Sequence, residues 1–341
     1  MANNVYVGVD IAQAKFDAAV WQGAPGLALH AFRNDTSGFA QLAERLALLA
    51  PAPDTQIVLV LEPTGGYEMA LVAFAYDRGW QVCLPNPKQV RDFAKSSGRR
   101  AKTDAQDALL LAQFGAEQRP APQQELPAPI QELIELLHRR EDLQQLKRSE
   151  SNRLLGLQQR PRPAPAVLES LERTIAALDA ELAAIAQAIE DLLTHNPDLK
   201  RDVKHLRSVP GIGERNVLPI LVLFYRWRAR TSGRGTPKGL VAFAGLDPQP
   251  YDSGRTVHKR AIISKMGDRS ARRYLYLGAL GGVHGKNALR TFYHRLVSRG
   301  KAKRLALVAA AHKILVWAWA VFSQGVDFDP SRFPHEATAE I

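Results

Sequence analysis

Four acidic side chains of this 341-residue chain stand where a carboxylate is held firmly and still meets solvent. Asp10 directly follows the apolar run Val5–Val9, and Glu62 follows Ile57–Leu61. A continuous apolar run of this length marks a strand buried on both faces, whose position the sheet core sets while its end opens outward. Asp104 and Asp107 stand three apart at the start of an expected helix, so both project from one side of it. Four carboxylates from three elements suit metal-assisted phosphoryl transfer. There, one or two hard cations, Mg2+ or Mn2+, polarise the phosphate, activate the nucleophile and neutralise the leaving oxygen. Each acid alone has a plainer reading. An Asp that ends a strand is commonly a turn former, and Asp104 fits a helix N-cap.

The elements that must position these acids follow from periodicity. Val5–Val9, Phe16–Trp21 and Leu27–Phe32 are short β-rich runs, and Gly38–Leu49 has helical spacing. Strand Ile57–Leu61, helix Met69–Arg78 and strand Trp80–Leu84 complete a βαβ unit. Three strands followed by β-α-β-α is the order of an RNase H-like α/β domain. The proline-rich stretch Arg119–Pro129 breaks the pattern and reads as a linker.

Two long helices come next. Leu168, Leu171, Ile175, Leu178, Leu182, Ile185, Ile189 and Leu192 alternate steps of three and four, the seam of a coiled coil. The helix before it, Ile130–Gln159, carries a weaker stripe, and Arg160–Pro165 between them cannot continue a helix. The pair folds back as an antiparallel hairpin, or the seam pairs between chains; spacing alone leaves both open. Leu206–Gly213 followed by the helical Arg215–Phe224 resembles a helix-hairpin-helix, whose glycine turn brings backbone N–H groups to a DNA phosphate. Thr231–Gly239 reads as a flexible basic loop, and the remainder to about Phe322 as mainly α. The expected division is 1–120 catalytic, 121–198 linker and coiled coil, 199–330 basic C-terminal domain, and 331–341 tail.

Composition narrows the classes further. Hydrophobic residues make up 46% and charged residues 23%, the balance of a globular protein. The single cysteine, Cys83, excludes an internal disulfide, and the start MANNVYVGVD lacks the pattern of a secretory leader, so a cytoplasmic protein is expected. The longest apolar stretch, Leu305–Phe322, contains His312 and Lys313 and reads as a buried helix, with no membrane partner expected. Residues 1–200 carry 20 Lys and Arg against 25 Asp and Glu, whereas residues 201–341 carry 25 against 9, a net of +16. An acidic half joined to a basic one suggests that one part holds metal and the other holds phosphates.

Three blocks in the first half, Gly8-Val-Asp10-Ile-Ala, Glu62-Pro-Thr-Gly-Gly-Tyr67 and Lys102-Thr-Asp104-Ala-Gln-Asp107-Ala, resemble the signature blocks of the DEDD transposases. These are insertion-sequence recombinases related to the pilin-gene invertase, with a RuvC-like catalytic domain. In the second half Phe243–Pro248, Ser253-Gly-Arg, Ile263–Asp268 and Arg272-Arg-Tyr-Leu resemble that family's second domain. The likeness runs in order along nearly the whole chain, with specific support lacking only in the helical middle.

The resemblance implies a transposase or site-specific recombinase that cuts and rejoins DNA through a serine, conserving bond energy in a covalent intermediate. By position in the block that serine is Ser253, with a glycine beside it for close approach and Arg255 to steady a phosphate. Tyr251 is the chemical rival, and an ordinary Ser-Gly turn the plain alternative. Lys259, Arg260, Lys265, Arg269, Arg272 and Arg273 surround the block as nucleic-acid contacts, although a solvated basic face has the same composition. Asp268 is placed to cap a helix starting near Arg269. The resemblance also implies donor and target DNA and a structured guide RNA that leaves sequence choice to base pairing, while the Leu168–Leu192 seam suggests a homo-oligomer, a dimer or tetramer. Two other readings are a hydrolytic junction nuclease and a non-catalytic nucleic-acid scaffold.

Overall fold

The computed structural model describes residues 3–21, 23, 26–49, 55–97, 103–253 and 257–332, excepting the side chains of His30 and residues 250–261. The chain divides into two units, Met1–Glu125 with Ala229–Gly233, and Leu126–Arg228 with Arg234–Ile341.

The first unit contains β1 (Asn3–Ile11), β2 (Lys15–Trp21), β3 (Leu27–Arg33), α1 (Thr36–Leu49), β4 (Thr55–Leu61), α2 (Met69–Asp77), β5 (Gln81–Cys83), α3 (Pro87–Ser96) and α4 (Asp104–Gln118). The sheet order is β3-β2-β1-β4-β5; β2 is antiparallel to both neighbours, while β1, β4 and β5 run parallel. This mixed sheet is compatible with the expected RNase H-like domain.

The β4 run explains the layering. Leu59 and Leu61 pack into one core with Phe39, Leu42 and Leu46 of α1 and Leu71 and Val72 of α2. Val58 and Val60 pack into another with Val90 of α3 and Leu110, Leu111 and Phe114 of α4. Alternation along the strand therefore feeds both faces of the sheet. Each such side chain taken from water stabilises the fold by about 1.5–3 kcal/mol before entropy is set against it. Helix α3 escaped the periodicity reading, yet its start is explicit: Asn86 accepts from the Lys88 N–H at 2.9 Å, and Pro87 occupies the first turn. The proline-rich stretch is tied down at Gln123, whose N–H donates to Val82 O at 2.9 Å and whose carbonyl accepts from Tyr76 Oη at 3.3 Å.

The second unit begins with α5 (Ala128–Gln158) and α6 (Pro165–His195), which pack along one another and are linked by the Lys147–Asp179 ion pair. Ile189 and Leu192 of the seam are buried, whereas Leu168, Leu171, Ile175, Leu178, Leu182 and Ile185 are only half-buried. Next come α7 (Pro197–Arg207), α8 (Val217–Arg230), α9 (Pro237–Ala244), β6 (Pro248–Ser253), β7 (Val257–Ile263), α10 (Arg269–Gly282), α11 (Ala288–Ser298) and α12 (Lys303–Gln324). Part of the expected basic loop is the first turn of α9, where Thr236 Oγ1 accepts from the Gly239 N–H at 3.1 Å. The antiparallel β6–β7 hairpin interrupts a region expected to be mainly helical. Helix α12 is long and apolar enough to cross a membrane; here Ile314, Leu315, Trp317 and Phe322 are buried within the core of this unit.

Candidate active site

Register places the first two acids. In the parallel β1–β4 pair Val9 lies opposite Leu61, so Asp10 and Glu62 are each one residue further, at the carboxyl ends of adjacent strands. Across the other edge of β1, Asp10 pairs with Asp17 of β2.

Glycine places the other two. A Cβ on Gly8 would lie 2.0 Å from Ala108 O and 2.3 Å from Ala112 N, and one on Gly115 would lie 2.8 Å from the Tyr6 ring. Helix α4 thus rests directly on β1 and runs against it, with the later residues of α4 over the earlier residues of β1. Its first turn therefore points toward the strand end that carries Asp10. That turn holds Asp104 and Asp107, and Thr103 is the cap, its Oγ1 accepting from the Gln106 N–H at 3.3 Å. Asp104 is consequently released from the capping role that its position had suggested.

The four acids share one end of the sheet. Among the described residues, no three His, Cys, Asp or Glu side chains lie close enough together to hold a metal ion as they stand. The donor set consists of carboxylate oxygens alone, the ligand type that hard divalent cations favour. Lys15 enters the same region: its Nζ lies 3.0 Å from Asp104 Oδ2 and 3.6 Å from Asp17 Oδ2. The hydrogen bond to Asp104, with the charges of Asp104 and Asp17, raises the lysine pKa above its ordinary value.

The loop after Glu62, whose Thr64, Gly65 and Gly66 belong to the second signature-like block, is held by Glu68 and Asn34, which lie outside that block. Gly65 and Gly66 adopt φ of 85° and 121°, and the N–H of Gly66 donates to Glu68 Oε2 at 3.0 Å. The same oxygen accepts from Thr64 Oγ1 at 2.9 Å and Thr64 N at 3.2 Å. Burial pushes the Glu68 carboxyl upward, but its own N–H, the Thr64 hydroxyl and the Gly66 and Thr64 N–H groups outweigh burial, and the net shift is down. Asn34 ties this loop to the turn after Asp10, its Nδ2 donating to Ala12 O at 3.0 Å and Tyr67 O at 3.1 Å. Asn34, Glu68 and Lys15 belong to no apolar period, so pattern reading offered no signal for them.

In the second unit Ser253 ends β6, opposite Val257, and Tyr251 lies opposite Lys259 in register. Arg260 lies on β7, and Arg255 falls outside the described residues. Asp268 caps α10 as expected, accepting from Ser270 N at 2.8 Å and Ala271 N at 3.0 Å. Arg272 Nη1 donates to Ala244 O at 3.0 Å and Gly267 O at 2.8 Å, while Arg273 donates to Glu141 Oε1 at 2.6 Å. Lys265 has a φ of 55°, rare for a residue with a side chain. Lys265, Arg269, Arg272 and Arg273 border a cavity of about 480 Å3 shared with Leu246 and Tyr276.

Comparison with known proteins bears on both units. Residues 7–160 match the family described as a transposase of the DEDD, IS110 type, and residues 203–294 match the family described as the transposase of the IS116/IS110/IS902 family. The chain is 29% identical over 334 residues to the pilin gene-inverting protein of Moraxella lacunata, covering 96% of this chain and 98% of that one. The pilin gene-inverting protein of Moraxella bovis is similar to the same extent. The insertion element IS110 uncharacterized 43.6 kDa protein of Streptomyces coelicolor is 29% identical over 172 residues, 49% of this chain and 39% of its own length.

Proposed function

Because this chain belongs to the IS110 family of DEDD transposases, we propose that it cuts and rejoins DNA by metal-dependent phosphoryl transfer through a covalent serine intermediate. The observation that carries this reading is the placement of Asp10 and Glu62 on adjacent strand ends, toward which the first turn of α4 brings Asp104 and Asp107. These four carboxylates would hold Mg2+, or Mn2+ in its place. When bound, the cation supplies charge for the phosphate oxygens and lowers the barrier to proton loss from the nucleophile.

Ser253 is the proposed nucleophile. Its oxygen forms a bond to phosphorus, the bond to one deoxyribose oxygen breaks, and that oxygen leaves with a proton. One phosphodiester is exchanged for another, so a hydroxyl of a new strand can displace the serine in the reverse step. Lys259, Arg260, Lys265 and Arg269, with Arg255, supply positive charge along the DNA backbone. A structured guide RNA pairing with donor and target DNA fits the lack of a base-reading module in the sequence.

A denaturing gel of protein incubated with cognate DNA and Mg2+ tests the proposal. The unsubstituted chain should give a covalent adduct that maps to Ser253 by mass spectrometry, and Ser253→Ala should bind DNA but give none. An adduct on Tyr251 would move the role to tyrosine. Multiple-turnover cleavage with no adduct would replace the proposal with a hydrolytic nuclease.

A further inference from the structure

The second unit carries a groove that Arg273 alone of the expected site residues enters. Helices α5 and α10 form its walls, and the Gly211–Asn216 turn forms its floor. It encloses about 1260 Å3, more than the roughly 300–1,000 Å3 of a small-molecule pocket, and so suits a stretch of polymer.

The floor is rigid. Gly211 has a φ of 93°, and Cβ atoms on Gly278 and Gly282 would lie 2.4 Å and 2.8 Å from its backbone, so turn and helix touch. Asn216, 6% exposed, accepts from Gly213 N at 2.7 Å and donates to Gly211 O at 2.8 Å. On the α5 wall Arg140, Gln144 and Arg148 recur every four residues along one face. Eight residues of helix cover about 12 Å, several times the roughly 3.4 Å rise of even a stacked strand, so Arg140 and Arg148 can reach separate phosphates.

Charge in the groove is net positive. Glu141 is engaged by Arg273 at 2.6 Å and Glu214 by Arg207 at 3.2 Å. Among the described residues no carboxylate pairs with Arg140, Arg148 or Arg215. The α10 wall adds Leu277 and Leu280, 52% and 43% exposed, apolar surface that unstacked bases can cover. The Glu141–Arg273 pair bridges the two walls. Helices joined by one side-chain pair leave too little width for a duplex, whose grooves alone are about 6–12 Å across.

We propose that this groove binds single-stranded DNA, the form that strand exchange exposes, with Arg140, Arg148 and Arg215 on phosphates and Leu277 and Leu280 against bases. The inference rests on DNA being the substrate, but not on the acidic centre or on Ser253.

The test is fluorescence anisotropy with the full chain in EDTA, titrating labelled oligo-dT, a duplex of equal length and oligo-U RNA. Combining Arg140→Gln with Arg148→Gln should weaken oligo-dT binding about tenfold and make its salt slope shallower by about 1.4, while duplex affinity changes by less than about twofold. Arg215→Gln alone should act in the same direction, with unchanged thermal midpoints confirming that the fold is kept. Unchanged oligo-dT affinity would overturn the proposal, as would an equal loss on duplex or a larger loss on oligo-U. Because no cutting is read, a failure here leaves the covalent adduct untouched. An absent adduct with intact groove binding would instead sink the cutting reading alone.

Discussion

Glu68 is a carboxylate with 5% of its surface exposed, and burial on that scale is unfavourable unless strong donors face it. Three bonds to Thr64 and Gly66 meet that need, and in return they shape the loop that leaves Glu62. Glu68→Gln should lower stability by about 2 kcal/mol, the scale of hydrogen bonds to a charged group. Because the folded-state pKa is depressed, this contribution is present above the ordinary carboxylate range and lost as pH falls through the lowered value. Thermal midpoints against pH should show the gap between Glu68→Gln and the unsubstituted chain closing in acid, not in base. The proposed metal-binding acids should behave differently. Asp10→Asn, Glu62→Gln, Asp104→Asn and Asp107→Asn should each remove adduct formation while leaving thermal midpoints within a few degrees and DNA binding intact. Two of them retaining full activity would mean that the acidic centre is misassigned.

At the scale of elements, the meeting of β1 and α4 governs the candidate site, and one hydrogen in place of a methyl allows it. Gly8→Ala would push a Cβ against the backbone of Ala108 and Ala112, which no side-chain rotation relieves. A stability loss of about 3 kcal/mol by urea unfolding is expected, at the upper end for overpacking. Adduct formation should fall further than the folded fraction does, because a displaced α4 carries Asp104 and Asp107 with it. Strands β1, β2, β3 and β4 were legible because their apolar runs are long, and Asp10 and Glu62 were legible because they end two of them. Asp104 and Asp107 stood out by their spacing of three. The β6–β7 hairpin was not legible: Val257–Ile263 is interrupted by His258, Lys259 and Arg260, which masks the β period. Lys15, Asn34 and Glu68 act through bonds to residues distant in sequence or to backbone, and no periodicity records such bonds.

For the molecule as a whole, the seam on α6 sets the last expectation. Eight apolar residues repeat at heptad spacing, yet α5 offers a weaker stripe, and six of the eight remain half-exposed. A monomer would leave this stripe half in water, whereas a second helix pair laid along it would cover the rest at the usual knobs-into-holes spacing. The chain is therefore expected to be a dimer or tetramer by light scattering. Leu178→Glu combined with Leu182→Glu places four charges across a two-copy seam and should shift the mass to that of the monomer. Because these positions lie on the outer part of α6, away from the buried Ile189 and Leu192, the core of the second unit should persist, seen as unchanged near-ultraviolet dichroism from Trp317 and Trp319. Adduct formation should drop with assembly if cutting waits for a complete complex. A monomeric mass for the unsubstituted chain, with and without nucleic acid, would show that the half-covered seam is content in solvent and that α5 and α6 serve only each other.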